Sequence, residues 1–194
     1  MIFYFIEYFH YHKEKCKVGL IMEKGLIHVY YGGGKGKTTC GMGLCIRAAG
    51  AGLKVLIVQF LKTSDSSEVN ILKTIPGITY LEGVQNPKFI FQMSEEEKER
   101  ERNLYRELFL RICRLAGEYD VLFMDEILHA VNFGMISKEN LVEFLKNKPE
   151  GLEIILTGYH PAEEVLDVAD YVSFIDKVKH PFDQGIPERI GIEK

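Results

Sequence analysis

The chain has 194 residues, 46% of them hydrophobic and 27% charged, with a formal net charge of -4 and a pI of about 5.9. That length buries one sizeable core, and the acidic balance argues against a dedicated nucleic-acid binder, which carries a basic face. The four cysteines, Cys16, Cys40, Cys45 and Cys113, form no CxxC pair. Their spacing therefore speaks for neither a zinc site nor a disulfide framework, but for free, mostly buried thiols in a reducing cytoplasm.

The first nine residues, Met1 to Phe9, are almost all apolar and aromatic. A membrane span needs about twenty such residues, and Glu7 interrupts the run, so no membrane segment is expected. A secretory leader would want a basic start and a small-residue cleavage site. Met22 sits just before the first clear strand. Residues 1–21 then read in two ways: an upstream extension from a misassigned start codon, or an aromatic helix packed on the domain or on a partner subunit. The division adopted is an extension over 1–24, disordered or packed on a partner, and one domain over 25–194.

From Gly25 onward, short apolar runs alternate with helical segments. Leu26–Tyr31 is β-branched and aromatic and reads as a strand ending in Gly32-Gly33-Gly34. A helix is predicted from Lys37 to about Ala49, stopped by Gly50 and Gly52. Lys54–Phe60 has the unbroken apolar character of a strand buried on both faces. A polar loop at Lys62–Ser67, a turn of helix around Glu68–Lys73 and a short strand at Ile78–Leu81 come next.

Ser94 with Glu97 makes a capping box, and the acids beside it suit a helix N-terminus, so a helix is predicted from there to about Gly117. Val121–Met124 is a buried strand, Ser137–Asn147 a capped helix, Leu152–Thr157 a strand, Pro161–Val168 a helix and Tyr171–Ile175 a last strand. This alternation implies right-handed crossovers and a parallel sheet sandwiched by helices; with the glycine cluster and GKT that follow the first strand, the α/β fold expected is that of RecA-like P-loop NTPases.

The segment Gly32-Gly33-Gly34-Lys35-Gly36-Lys37-Thr38-Thr39 joins the first strand to its helix. A triphosphate needs many donors in a small concave space. Glycines let successive backbone N–H groups turn inward, and the helix N-terminus adds its positive end. Lys37 supplies an ammonium to the phosphates and the Thr38 hydroxyl a ligand to Mg2+. The loop is one residue short of GxxxxGK[ST], because the position of the first glycine is Tyr31. A second half of such a site is an acid at the end of a buried strand, and Asp125 and Glu126 follow Val121–Met124. Either carboxylate could reach the metal directly or through water.

From about Gly25 to its C-terminus the chain resembles the P-loop class of ATP:corrinoid adenosyltransferases. The short loop is similar to that family's G-[ND]-G-K-G-K-T-T. Arg47 stands where the family has an arginine, which places it among the ATP-binding residues. Val58-Gln59-Phe60-Leu61-Lys62 resembles a VQFxK strand end, Glu68 with Asn70 an acidic turn, and Met124-Asp125-Glu126 an LDE strand end. Leu156-Thr157-Gly158 and Val168-Ala169-Asp170 fit the last strand and helix. The tail from Val178 to Ile186, with Arg189 to Glu193, resembles a KHxFDxG…GI[DE] pattern. Composition alone would make that tail a solvated coil; the resemblance implies that it folds back over the site. Gly33 departs from the family's Asn or Asp, and Tyr159 from an arginine. The chain has no tryptophan where some members place a Phe-x-Trp pair beside the corrinoid. Phe89 and Phe91 are the nearest substitutes, unless they are core residues of a strand; Lys179 and His180 complete the corrinoid candidates.

The resemblance implies transfer of the 5′-deoxyadenosyl group of ATP to the Co(I) of a reduced corrinoid, with triphosphate leaving. Co(I) needs no general base, so the protein supplies position and charge, with Lys37 stabilising the leaving group. Mg2+ as cofactor, an electron-donating reductase or flavoprotein, a homodimer and a cytoplasmic location are implied with it. Two other readings of the loop are a small-molecule kinase and an ATP-gated regulatory module.

Overall fold

The computed structural model describes residues 23–62, 66–84 and 93–193. Residues 1–22 of the 1–24 extension and the Phe89 and Phe91 pair lie outside the described residues. In chain order the elements are β1 (Ile27–Tyr31), α1 (Lys37–Gly50), β2 (Val55–Gln59), α2 (Ser67–Leu72), β3 (Ile78–Leu81) and α3 (Glu95–Leu115). They continue with β4 (Val121–Asp125), α4 (Ile127–Asn132), α5 (Lys138–Lys146), β5 (Glu153–Gly158), α6 (Glu163–Asp167) and β6 (Tyr171–Phe174). Single 3-10 turns occupy Ala116–Glu118 and Pro181–Gln184.

The strands form one parallel sheet in the order β3-β2-β4-β5-β1-β6. The strand that feeds the glycine loop and the strand that ends in Asp125 are therefore separated by β5. Strands β2 and β4 are buried along their whole length and β5 at all but its first residue. Side chains alternate between the two faces of such a sheet. Leu56, Val58, Leu122, Met124, Ile154 and Leu156 enter the core under α3 to α6. Their neighbours Val55, Ile57, Val121, Phe123 and Ile155 enter the core under α1 and α2. That two-sided burial explains why these segments read as unbroken apolar runs.

Helix α3 buries Tyr105, Leu108, Phe109 and Ile112, an i, i+3, i+4, i+7 stripe, against the first core. Its start is the predicted capping box. The Glu97 amide donates to Ser94 Oγ at 3.2 Å, and the Ser94 amide to Glu97 Oε2 at 2.9 Å.

Three sequence expectations shift. Helix α4 was not predicted; it is six residues long and starts directly behind the left-handed Glu126, so no cap announces it. Helix α6 begins at Glu163 rather than Pro161, with Ala162 as its N-cap. Thiols are less uniformly buried than expected. Cys45 is buried and Cys113 partly so, but Cys40 is exposed in the first turn of α1. No described helix is long and apolar enough to cross a membrane.

Candidate active site

The chain leaves β1 at Gly32 and enters α1 through Gly36, both at φ 121. Helix α1 has no side-chain cap and no acid in its first turn. The amides at its start therefore have no intrahelical partner and face outward with the positive end of the helix dipole. Lys37 Nζ donates to the Gly34 carbonyl at 2.9 Å, which holds the ammonium over the loop. One turn on, a Cβ at Gly41 would stand 2.4 Å from Phe123 Cζ. Only glycine lets α1 sit this close to β4, and that approach brings Thr38 to Asp125.

Asp125 is fully buried at the end of β4, and its two oxygens are saturated. Oδ1 accepts from Thr38 Oγ1 at 2.9 Å and from Thr157 Oγ1 at 2.6 Å. Oδ2 accepts from Gln59 Nε2 at 3.1 Å and from Lys62 Nζ at 2.7 Å. Lys62 Nζ also donates to Thr38 Oγ1 at 2.9 Å. Gln59 is itself held by the Tyr80 hydroxyl at 2.9 Å. Strands β2 and β5, which flank β4 in the sheet, thus each send one polar side chain from their C-terminal ends to the carboxylate that ends β4. Below it, burial, helped by the Asp125 charge, pushes the Cys45 thiol up to about 12, so it stays a neutral packing residue.

The C-terminal tail leaves β6 and crosses the loop. The Gly34 amide donates to the Ile175 carbonyl at 2.8 Å, and a Cβ at Gly34 would meet the Asp176 carbonyl at 2.4 Å. Lys35 Nζ pairs with Glu193 Oε1 at 3.3 Å, and Arg189 Nη2 with the same oxygen at 2.9 Å. The Arg189 side chain, its amide and Lys35 hold that carboxyl well below the usual range, at about 2. Between loop and tail lies a cleft of about 330 Å3, lined by Gly33, Lys35 and Lys37 on one side and by His180, Phe182 and Arg189 on the other.

A family model described as ATP:corrinoid adenosyltransferase BtuR/CobO/CobP matches residues 23–193. The chain belongs to this family. A corrinoid adenosyltransferase of Escherichia coli K12 is 33% identical over 174 residues, covering 88% of this chain and 86% of that one. One from Salmonella typhimurium LT2 is 31% identical over the same shares. Among solved structures, the cytoplasmic domain of EssC matches with a TM-score of 0.52 at 17% identity, over 89% of this chain and 38% of that chain. That likeness concerns the RecA-like fold alone.

Not every predicted site residue of this adenosyltransferase-family chain converges. Gly32 to Thr38 and Asp125 do. Thr39 lies on the exposed side of the first turn of α1. Arg47 is exposed ten residues beyond Lys37, about 15 Å along the axis of α1, so the structure does not bring it to the loop. Glu126 also turns away. It is left-handed at φ 62, its amide is taken by Thr157 Oγ1 at 2.8 Å, and its carboxylate pairs with His129 Nδ1. Adjacent acids thus diverge, and Asp125 alone of the pair reaches Thr38.

In the tail, His180 lines the cleft and its Nδ1 accepts from the Phe182 amide at 3.2 Å, whereas Lys179 is exposed and outside the lining. Tyr159, in the place of the family's arginine, packs near Gly33 and stacks with His129, which also stacks with Phe133. Thr157, Tyr80 and His129 carried no role in the sequence reading. Thr157 had a usable signal, being a lone hydroxyl at the end of a buried apolar strand. Tyr80 and His129 had none, because their partners lie across the sheet or on a helix that was not predicted.

Proposed function

We propose that this site transfers the 5′-deoxyadenosyl group of ATP to the Co(I) centre of a reduced corrinoid. The cobalt electron pair forms a bond to ribose C5′, the C5′–O bond breaks, and triphosphate leaves with that bond's electrons. The observation that carries this reading is one cleft bounded by both family signatures, the short glycine loop and the His180–Glu193 tail. The amides of Gly33 and of Lys35 to Thr38, with the ammonium groups of Lys35 and Lys37, grip the triphosphate and stabilise its growing charge, while those of Gly32 and Gly34 are taken by the Gly158 and Ile175 carbonyls. No side chain needs to move a proton, because the nucleophile carries none. The chain's task is to hold C5′ in line with the cobalt.

A divalent cation fits the seat between Thr38 Oγ1 and Asp125, since a hydroxyl and a buried carboxylate converge there and already hold a positive group. Thr38 and Asp125 would hold Mg2+, which would neutralise phosphate oxygens. His180 and the exposed Phe182, which line the cleft from the tail, would meet the corrinoid. Outside the described residues, Phe89 and Phe91 remain candidates for an apolar wall on its lower face. A reductase or flavoprotein delivers the electron in a cytoplasmic setting. A second copy of the chain covers the β6 edge, where Tyr171, Val172 and Phe174 are exposed.

The test mixes protein, Mg-ATP and chemically reduced corrinoid and follows the visible spectrum. The expected product is a light-sensitive cobalt–carbon species formed only with ATP. ATP binding with no spectral change would reject the transferase in favour of a gated binding module.

A further inference from the structure

We propose that Lys62 is a displaceable counter-ion, seated where the divalent cation goes until metal and nucleotide enter, and then handed to the phosphate oxygens. The inference rests on the metal seat proposed above. Its ammonium lies 2.9 Å from Thr38 Oγ1 and 2.7 Å from Asp125 Oδ2, bridging the two groups that would bind the metal. A magnesium ion sits about 2.0–2.1 Å from its oxygens, so ion and ammonium cannot share that space.

The charge count favours exchange over simple loss. Asp125 has no exposed surface, and among the described residues Lys62 is its only ion-pair partner. A buried carboxylate left without a cation is unfavourable, so the protein is more stable when the seat holds a positive charge, either the ammonium or the metal. Neutral donors do not meet that need, but they do keep the carboxylate aimed during the exchange: Gln59 on Oδ2 and Thr157 on Oδ1.

Lys62 is suited to leave. Its side chain is 28% exposed and follows Leu61, which turns the chain at φ 55 just past β2. A lysine is a point charge on a flexible four-carbon stem, able to swing to a neighbouring anion without a fixed fork to satisfy. Lys37 differs, being tied to the loop's own Gly34 carbonyl. The two lysines therefore do different work: Lys37 belongs to the phosphate loop, and Lys62 guards the metal seat. Metal entry becomes coupled to arrival of the triphosphate, which offers the expelled ammonium a new partner.

The test is a titration of the nucleotide-free full chain with Mn2+ alone, free ion read by electron paramagnetic resonance, for wild type and Lys62→Met. If the ammonium fills the seat about 90% of the time, removing it should tighten Mn2+ binding about 10-fold. Lys62→Met should also melt lower than wild type in EDTA and regain most of the loss on adding Mg2+. Equal or weaker Mn2+ binding in Lys62→Met would overturn the inference, as would a melting deficit that Mg2+ leaves untouched. If Lys62→Met does not fold with or without metal, Lys62→Gln, which keeps hydrogen bonding but not charge, carries the same titration. Failure of the adenosyl-transfer reading is seen separately, in wild-type protein that makes no cobalt–carbon product.

Discussion

Two helices of this protein begin in opposite ways. Helix α3 opens with Ser94 and Glu97 closing a reciprocal cap and three glutamates in its first turn. Helix α1 opens from Gly36 with no cap and no acid. Both have orphan amides and a positive end, the physics common to every helix. In α3 the chain satisfies that end with its own side chains and gains stability. In α1 it leaves the end open, places Lys35 and Lys37 beside it and sets Asp125 within reach of Thr38. Lack of a side-chain cap does not by itself mark an anion site, since α2, α4 and α6 lack one too. The open start of α1 is suited to an outside anion because two lysines and the Thr38–Asp125 pair stand beside it.

The largest expected effect comes from breaking the open end. Lys37→Ala should lower adenosyl transfer at least about 100-fold, the scale of losing one charge-stabilising group, and leave the melting temperature within a few degrees. Near-normal turnover would show that the loop ammonium does not meet the leaving group. A smaller effect should follow from disturbing the seat of α1. Gly41→Ala places a Cβ 2.4 Å from the ring of the fully buried Phe123. It should cost about 1–3 kcal/mol in denaturant unfolding and weaken activity by shifting Thr38 from Asp125. The smallest is at the capped end. Ser94→Ala should cost about 1 kcal/mol, or about 2–4 °C in melting temperature, with unchanged kcat/KM. A fall in kcat/KM there would mean that the capped end also serves the reaction.

Much of the architecture was legible in the residues. Strands β2, β4 and β5 stand out because burial on both faces removes polar alternation, and α3 because its cap and its apolar stripe agree. The glycine loop was legible for a similar reason, with strand, glycines, lysine and helix in register. Less could be read where the cause is long-range. Asp125 and Glu126 are neighbours in sequence, and only the left-handed turn at Glu126 sends them to different partners. Lys62 is 63 residues from Asp125, and Thr157 is 32 residues beyond it; their meeting depends on strand order, which local pattern does not encode. Arg47, expected among the ATP-binding residues, is carried by α1 away from the phosphate loop, a separation that helix length sets and the motif alone does not reveal. His129 was hidden by α4, too short and uncapped to be anticipated.

The central claim is that the glycine loop grips the phosphates so that ribose carbon, not phosphorus, meets the nucleophile. Phosphorus NMR of a single-turnover mixture of protein, Mg-ATP and reduced corrinoid tests it most directly. The expected spectrum shows intact inorganic triphosphate in equal amount to the cobalt–carbon product. ADP with orthophosphate or a phosphorylated acceptor, and no triphosphate, would contradict it.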